Sequence, residues 1–89
     1  MAKVLFSIKI FPSDITTDLS QLKKKIEKEL PKYASVYKFD EEPIAFGLIA
    51  LIAHIIIPEE KPGGSDEVEK QLQKIDDISQ IETLMVRRV

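Results

Sequence analysis

The stretch Glu42-Pro43-Ile44-Ala45-Phe46-Gly47 runs straight into Leu48-Ile49-Ala50-Leu51-Ile52-Ala53-His54-Ile55-Ile56-Ile57. The second part is apolar at every position but His54, and Pro58 closes it. A strand that is apolar on both faces belongs in the middle of a sheet. The first part reads as a loop over Asp40 to Gly47. Pro43 fixes one backbone angle, and Gly47 reaches angles barred to other residues. Phe46 between them is either displayed as an anchor for a partner or turned inward to cap the core.

The segments on either side complete the pattern. Lys3 to Phe11 alternates, with Val4, Phe6, Ile8 and Ile10 on one side and Lys3, Leu5, Ser7 and Lys9 on the other. That is a half-buried strand. Pro12-Ser13-Asp14 ends it. Asp18 offers a helix N-cap with Gln21 as reciprocal capping partner. Leu19, Leu22, Ile26 and Leu30 follow at helical spacing, and Pro31 stops the helix. Ser35 to Phe39, rich in β-branched and aromatic residues, is a short strand. Glu59 to Ser65, with Pro62, Gly63 and Gly64, reads as a flexible turn. Ser65 or Asp66 caps a second helix with the stripe Val68, Leu72 and Ile75, and Ile78 packs just beyond it. The last strand spans about Gln80 to Arg87, with Ile81, Thr83 and Met85 on one face.

The order β-α-β-β-α-β predicts a ferredoxin-like α+β fold: a four-stranded antiparallel sheet with two helices on one face. The first and third strands are central. The expected core is Phe6, Ile8, Leu22, Ile26, Leu51, Ala53, Ile55, Leu72 and Ile81. No linker or low-complexity segment divides the chain, so residues 1–89 read as one domain.

Composition narrows the function. The chain has 89 residues, of which 44% are hydrophobic and 31% charged, and a net charge of −2. This balance argues against general nucleic-acid binding, which leans on a basic face. There is no cysteine and one histidine, which leaves no thiolate metal site and no multi-histidine site within the chain. The N-terminus lacks a signal-peptide pattern, and Ile44 to Ile57 is short for a bilayer span. The expected setting is cytoplasmic, with no membrane and no bound cofactor.

A search for chemistry yields little. Gly63-Gly64 has no P-loop around it. Asp40, Glu41 and Glu42 have no convergent partner by local spacing and read as a solvated loop. His54 lies on the parity of Ile52 and Ile56, as a structural or surface residue on the open sheet face. The serines sit in no nucleophile motif. The Lys23-Lys24-Lys25 run alternates with acids further along the helix, as a solvated face does. The third strand is aliphatic and gives bases no stacking platform. The tail Arg87-Arg88 is basic and sits at a strand end.

With these segments placed, the chain resembles the elongation factor 1-beta family of archaea and the C-terminal exchange domain of its eukaryotic counterpart. The resemblance rests on Glu42-Pro43-Ile44-Ala45-Phe46-Gly47-Leu48-Ile49-Ala50-Leu51, on the first strand ending at Pro12, on the Asp18-Leu19 helix start, and on the tail Glu82 to Val89. It implies guanine-nucleotide exchange on elongation factor 1-alpha, the GTPase that carries aminoacyl-tRNA, and not bond-making catalysis. It implies a partner surface at Pro43, Ile44, Phe46, Gly47, Arg87 and Arg88. In the eukaryotic relative an aromatic residue of the Pro-x-x-Phe-Gly loop contacts the nucleotide-binding domain, and Phe46 takes that place here. A penultimate lysine there reaches the magnesium and γ-phosphate region, and Arg88 stands at that position. Arginine is a departure, since its planar fork differs from an ammonium group. Two rivals share the βαββαβ plan. One is a regulatory small-molecule-binding domain. The other is an acylphosphatase-like enzyme, disfavoured because no arginine follows the first strand until Arg87.

Overall fold

A computed structural model describes residues 3–60 and 63–88. Pro62 of the expected flexible turn and Val89 of the tail lie outside the described residues. The elements are β1 (Lys3–Pro12), α1 (Leu19–Glu29), β2 (Ser35–Pro43), β3 (Ile49–Pro58), α2 (Gly64–Gln73) and β4 (Ile78–Arg88). The strands form one sheet in the order β2-β3-β1-β4, with every pairing antiparallel. The two central strands are therefore β1 and β3, and β3 is apolar on both faces as a central strand can be. This is the ferredoxin-like arrangement.

One face of the sheet carries both helices. Phe6, Ile8 and Ile10 of β1 and Leu51, Ala53, Ile55 and Ile57 of β3 form a single buried cluster with Leu22 and Ile26 of α1 and Val68 and Leu72 of α2. Ile81 packs against this cluster partly buried, and the other residues of the expected core are all within it. Truncating one of the fully buried leucines or isoleucines to alanine costs about 2–5 kcal/mol, a large part of the stability of so small a domain.

Helix α1 starts where Asp18 accepts bonds from the backbone N–H groups of Ser20 (2.9 Å) and Gln21 (3.3 Å). Gln21 thus enters the cap through its backbone. The helix stops at Leu30, whose extended backbone (ψ 145°) is what a following proline enforces. Helix α2 differs from expectation. Its N-cap is Gly63, in the left-handed region at φ 70°, and Ser65 and Asp66 already lie inside the helix. The left-handed geometry selects glycine there over a side-chain cap.

Two strands also differ. β2 continues through Asp40, Glu41, Glu42 and Pro43, which pair with Ile52, Leu51, Ala50 and Ile49. The acidic triplet is therefore an edge strand and not a loop, and the loop of interest contracts to Ile44–Leu48. In β4, a bulge between its pairings with Ser7 and Ile8 leaves Leu84 unpaired. Thr83 lies opposite Ile8 on the helix side, but Met85 lies opposite Ser7 on the open side. Simple alternation puts Thr83 and Met85 on one face; one inserted residue reverses it. Thr83 donates its hydroxyl to Glu69 of α2 at 2.5 Å, which fixes its side.

Candidate functional site

The β2–β3 connection is a closed turn. The Ile44 N–H donates to the Leu48 carbonyl at 2.8 Å, and the Leu48 N–H donates to the Ala45 carbonyl at 3.2 Å. Between them the backbone makes a single 3-10 turn over Ala45–Gly47. Closing it needs two successive residues with positive φ: Phe46 at 60° and Gly47 at 80°. Glycine takes this region freely. For a bulky L-residue it costs about 1–2 kcal/mol. Phe46 is the sole non-glycine with positive φ among the described residues, and its side chain is 93% exposed. Burial of the ring does not offset this strain. Of the two expectations for Phe46, display and not core capping is what the structure has. Pro43 closes β2, where it needs to donate no ladder bond, and Ile44 is half-buried beneath the turn.

The arginines lie elsewhere. Arg88 is opposite Val4 and Leu51 is opposite Ile10. These are six residues apart on β1 (10 − 4), or about 20 Å at ~3.3 Å per residue. The Phe46 turn lies further out still, past Ile49, and on the opposite sheet edge from β4. In a molecule with extents of 41 × 20 × 18 Å, Phe46 and Arg88 occupy opposite ends of the long axis. The Arg88 guanidinium pairs with Glu59 at 2.5 Å and keeps 75% of its side chain exposed. Arg87 faces the open side opposite Leu5, where it rims a shallow depression with Tyr37 and Ile56. The residues expected to meet the partner fall in two groups: Pro43, Ile44, Phe46 and Gly47 at one end, Arg87 and Arg88 at the other.

The open face holds an arrangement that sequence spacing did not reveal. Ser7 of β1, His54 of β3 and Asp40 of β2 line up across three strands. Ser7 Oγ is 2.8 Å from His54 Nδ1, and His54 Nε2 is 2.8 Å from Asp40 Oδ2. A carboxylate only accepts, so Nε2–H donates to Asp40, while Nδ1 shares a hydrogen bond with the Ser7 hydroxyl, which can donate to it or accept from it. The bond from His54 holds the Asp40 carboxyl below its ordinary range, against an opposing desolvation and with a smaller contribution from the charge of Lys38. The trio has the residue types of a hydrolytic triad. However, Ser7 is 2% exposed and cannot reach a substrate. It is a clasp that satisfies a buried hydroxyl. The other two acids of the triplet are paired as well, Glu41 with Lys23 at 3.1 Å and Glu42 with Lys9. The expected solvated loop is thus an edge strand with two contacts to other strands and one to helix α1.

No group of three or more candidate metal ligands occurs among the described residues, and no described helix is long and apolar enough to cross a membrane. In fold, the chain is similar to the C-terminal domain of the MgtC protein from Mycobacterium tuberculosis, with a TM-score of 0.67 at 10% identity over 91% of this chain and 85% of that one. At that identity the likeness concerns architecture alone. Sequence relatives go further. An elongation factor 1-beta from Staphylothermus marinus is 45% identical over 100% of this chain and 99% of its own length. Another from Methanothermobacter thermautotrophicus is 39% identical over the same shares. Residues 5–89 match the EF-1 guanine nucleotide exchange domain. A strained, displayed aromatic turn on a ferredoxin-like sheet thus sits in a chain that, by this match and these full-length relatives, belongs to the elongation factor 1-beta exchange-domain family.

Proposed function

We propose that this protein speeds GDP release from elongation factor 1-alpha in the cytoplasm, so that GTP can rebind during polypeptide elongation. The observation that carries this reading is Phe46, 93% exposed on a turn that holds it at φ 60°. A pre-ordered aromatic ring loses little entropy on docking and buries a large apolar area, as binding hot spots do. The factor makes no bond. It binds the nucleotide-free GTPase more tightly than the GDP-bound form, and by reciprocity it weakens GDP.

Arg88 supplies the second element. A guanidinium brought to the magnesium site repels the metal and competes for phosphate oxygens. Because Phe46 and Arg88 lie at opposite ends, engaging both requires a GTPase surface that runs the length of the sheet. Phe46 then anchors and orients the molecule while Arg88 acts on the nucleotide site.

The test is release of a fluorescent GDP analogue from the cognate elongation factor 1-alpha. Wild-type protein accelerates release. Arg88→Ala slows the stimulated rate without moving the melting temperature, and its defect shrinks when magnesium is chelated beforehand. No acceleration by the wild-type protein removes the reading. Full activity in Arg88→Ala removes Arg88 and leaves the Phe46 turn.

A further inference from the structure

The two outer edges of the sheet are built differently. β2 carries Lys38, Asp40, Glu41 and Glu42 along one edge and ends on Pro43, and charges and proline there discourage a further strand. β4 is 11 residues long and forms the other edge, and every residue from Glu82 to Arg88 is exposed. At its middle Leu84, Met85 and Val86 are three consecutive exposed apolar residues. A long edge strand with an apolar centre is a template for another strand.

The pattern of β4 selects which strand. The bulge puts Leu84 and Met85 in the space of one residue opposite Ser7. One step out on either side stand Thr83 and Val86, opposite Ile8 and Phe6 on the helix side. Two steps out stand Glu82 and Arg87, opposite Lys9 and Leu5 on the open side. Three steps out stand Ile81 and Arg88, opposite Ile10 and Val4, again on the helix side. Read in either direction from its bulge, β4 therefore shows the same order of faces. A second β4 running antiparallel meets it with Thr83 against Val86 and Glu82 against Arg87, each pair formed twice and each on one face. Opposite charges then flank the apolar centre on both sides, and a slip of one residue sets the members of each pair on different faces. We propose that β4 pairs with β4 of a second copy of this chain, about a two-fold axis through the Leu84–Met85 bulge. The sheet is then continuous across both copies, with the helices of both on one face. This goes beyond the exchange reading and does not depend on it.

The test is sedimentation equilibrium of the full chain over about 10 µM to 1 mM, for wild type, Glu82→Arg, Arg87→Glu and an equimolar mixture of the two variants. Wild type is expected to pass from monomer toward dimer as concentration rises. Each variant alone sets two like-charged pairs across the axis and dimerises at least about tenfold more weakly. The mixture restores the dimer, because one chain then carries arginine at both positions and the other carries glutamate at both. This restoration also controls for folding, since a misfolded variant restores nothing. In a wild-type sample mixed from two isotope labellings, NMR contacts join Thr83 of one copy to Val86 of the other. A wild type that stays monomeric to the highest concentration overturns the proposal. So does a dimer that both variants form as tightly as wild type, or a mixture that associates no better than either variant alone. Amide protection along the outer edge of β4 that arises only with elongation factor 1-alpha overturns it too, and gives that edge to the GTPase.

Discussion

Phe46 and Arg88 stand at the two ends of the molecule and are held in different ways. Phe46 sits on a turn closed by two backbone bonds, with its own backbone in the left-handed region. Arg88 ends an edge strand and is held by one surface ion pair to Glu59. One end is rigid at an energetic cost; the other is adaptable at almost none. Anchoring demands a fixed ring, because affinity comes from docking without further ordering. Displacing a metal demands a charge that moves when the site opens. On the exchange function proposed above, the two ends divide binding and perturbation between them.

The largest effect expected from breaking this division is at the rigid end. Phe46→Ala removes the ring but keeps a Cβ and thus the same turn strain. Affinity for the GTPase falls by ~2 kcal/mol or more, about thirtyfold, while the melting temperature stays put. A marked drop in melting would instead make Phe46 a packing residue. Phe46→Asn sharpens the point, since asparagine tolerates positive φ better than phenylalanine. It should stabilise the domain by ~0.5–1 kcal/mol, raising melting by about 2–8 °C, and still lose the partner. A variant that is more stable and less active would identify the strain as a functional cost.

Between the ends lies the Ser7–His54–Asp40 clasp, where the expected effect is smaller. Asp40 has its folded-state carboxyl lowered by the His54 bond. A lowered carboxyl contributes stability that is present above the ordinary aspartate range and lost as pH falls through the folded value. Carboxyl NMR should therefore show Asp40 titrating below an ordinary aspartate. In His54→Gln that midpoint should move upward, and the acid limb of the stability curve should lose part of its slope. An unmoved Asp40 midpoint would show that the histidine bond is not what lowers it.

How much of this was legible follows from the range of each signal. β3 announced itself as central because apolar residues on both faces leave no other place for it. Leu22, Ile26 and Leu72 declared their buried sides by helical spacing. Asp40, Glu41 and Glu42 misled because three consecutive acids resemble a loop. Their partners lie on other elements: strand pairing brings Lys9 and His54 near, and packing of α1 on the sheet brings Lys23. Met85 was assigned to the wrong face because the bulge at Leu84 depends on pairing with β1, and alternation cannot register it. Pro-Ile-Ala-Phe-Gly marked a special turn through its proline and glycine. That Phe46 itself takes the positive φ was not written in any propensity, since propensity points the other way. The separation of Phe46 from Arg88 needed the strand order.

The smallest expected effect lies at the adaptable end, in Glu59→Gln. Glu59 and Arg88 form an exposed pair, and such pairs contribute at most about 1 kcal/mol. Stability should therefore change by no more than that. The consequence for exchange has a definite sign. If Arg88 acts at the magnesium site as proposed, its pair with Glu59 competes with that engagement and lowers the competent population. Removing the acid releases the arginine and should raise stimulated GDP release, by at most about fivefold, since ~1 kcal/mol of competition is all there is to remove. The gain should vanish in the double variant Glu59→Gln with Arg88→Ala, because it acts only through that guanidinium. Raising salt should reduce the difference from wild type, as screening weakens the competing pair in the unaltered protein. Slower release in Glu59→Gln would reverse the comparison: Glu59 would then be positioning Arg88, and the C-terminal end would be as pre-ordered as the Phe46 turn.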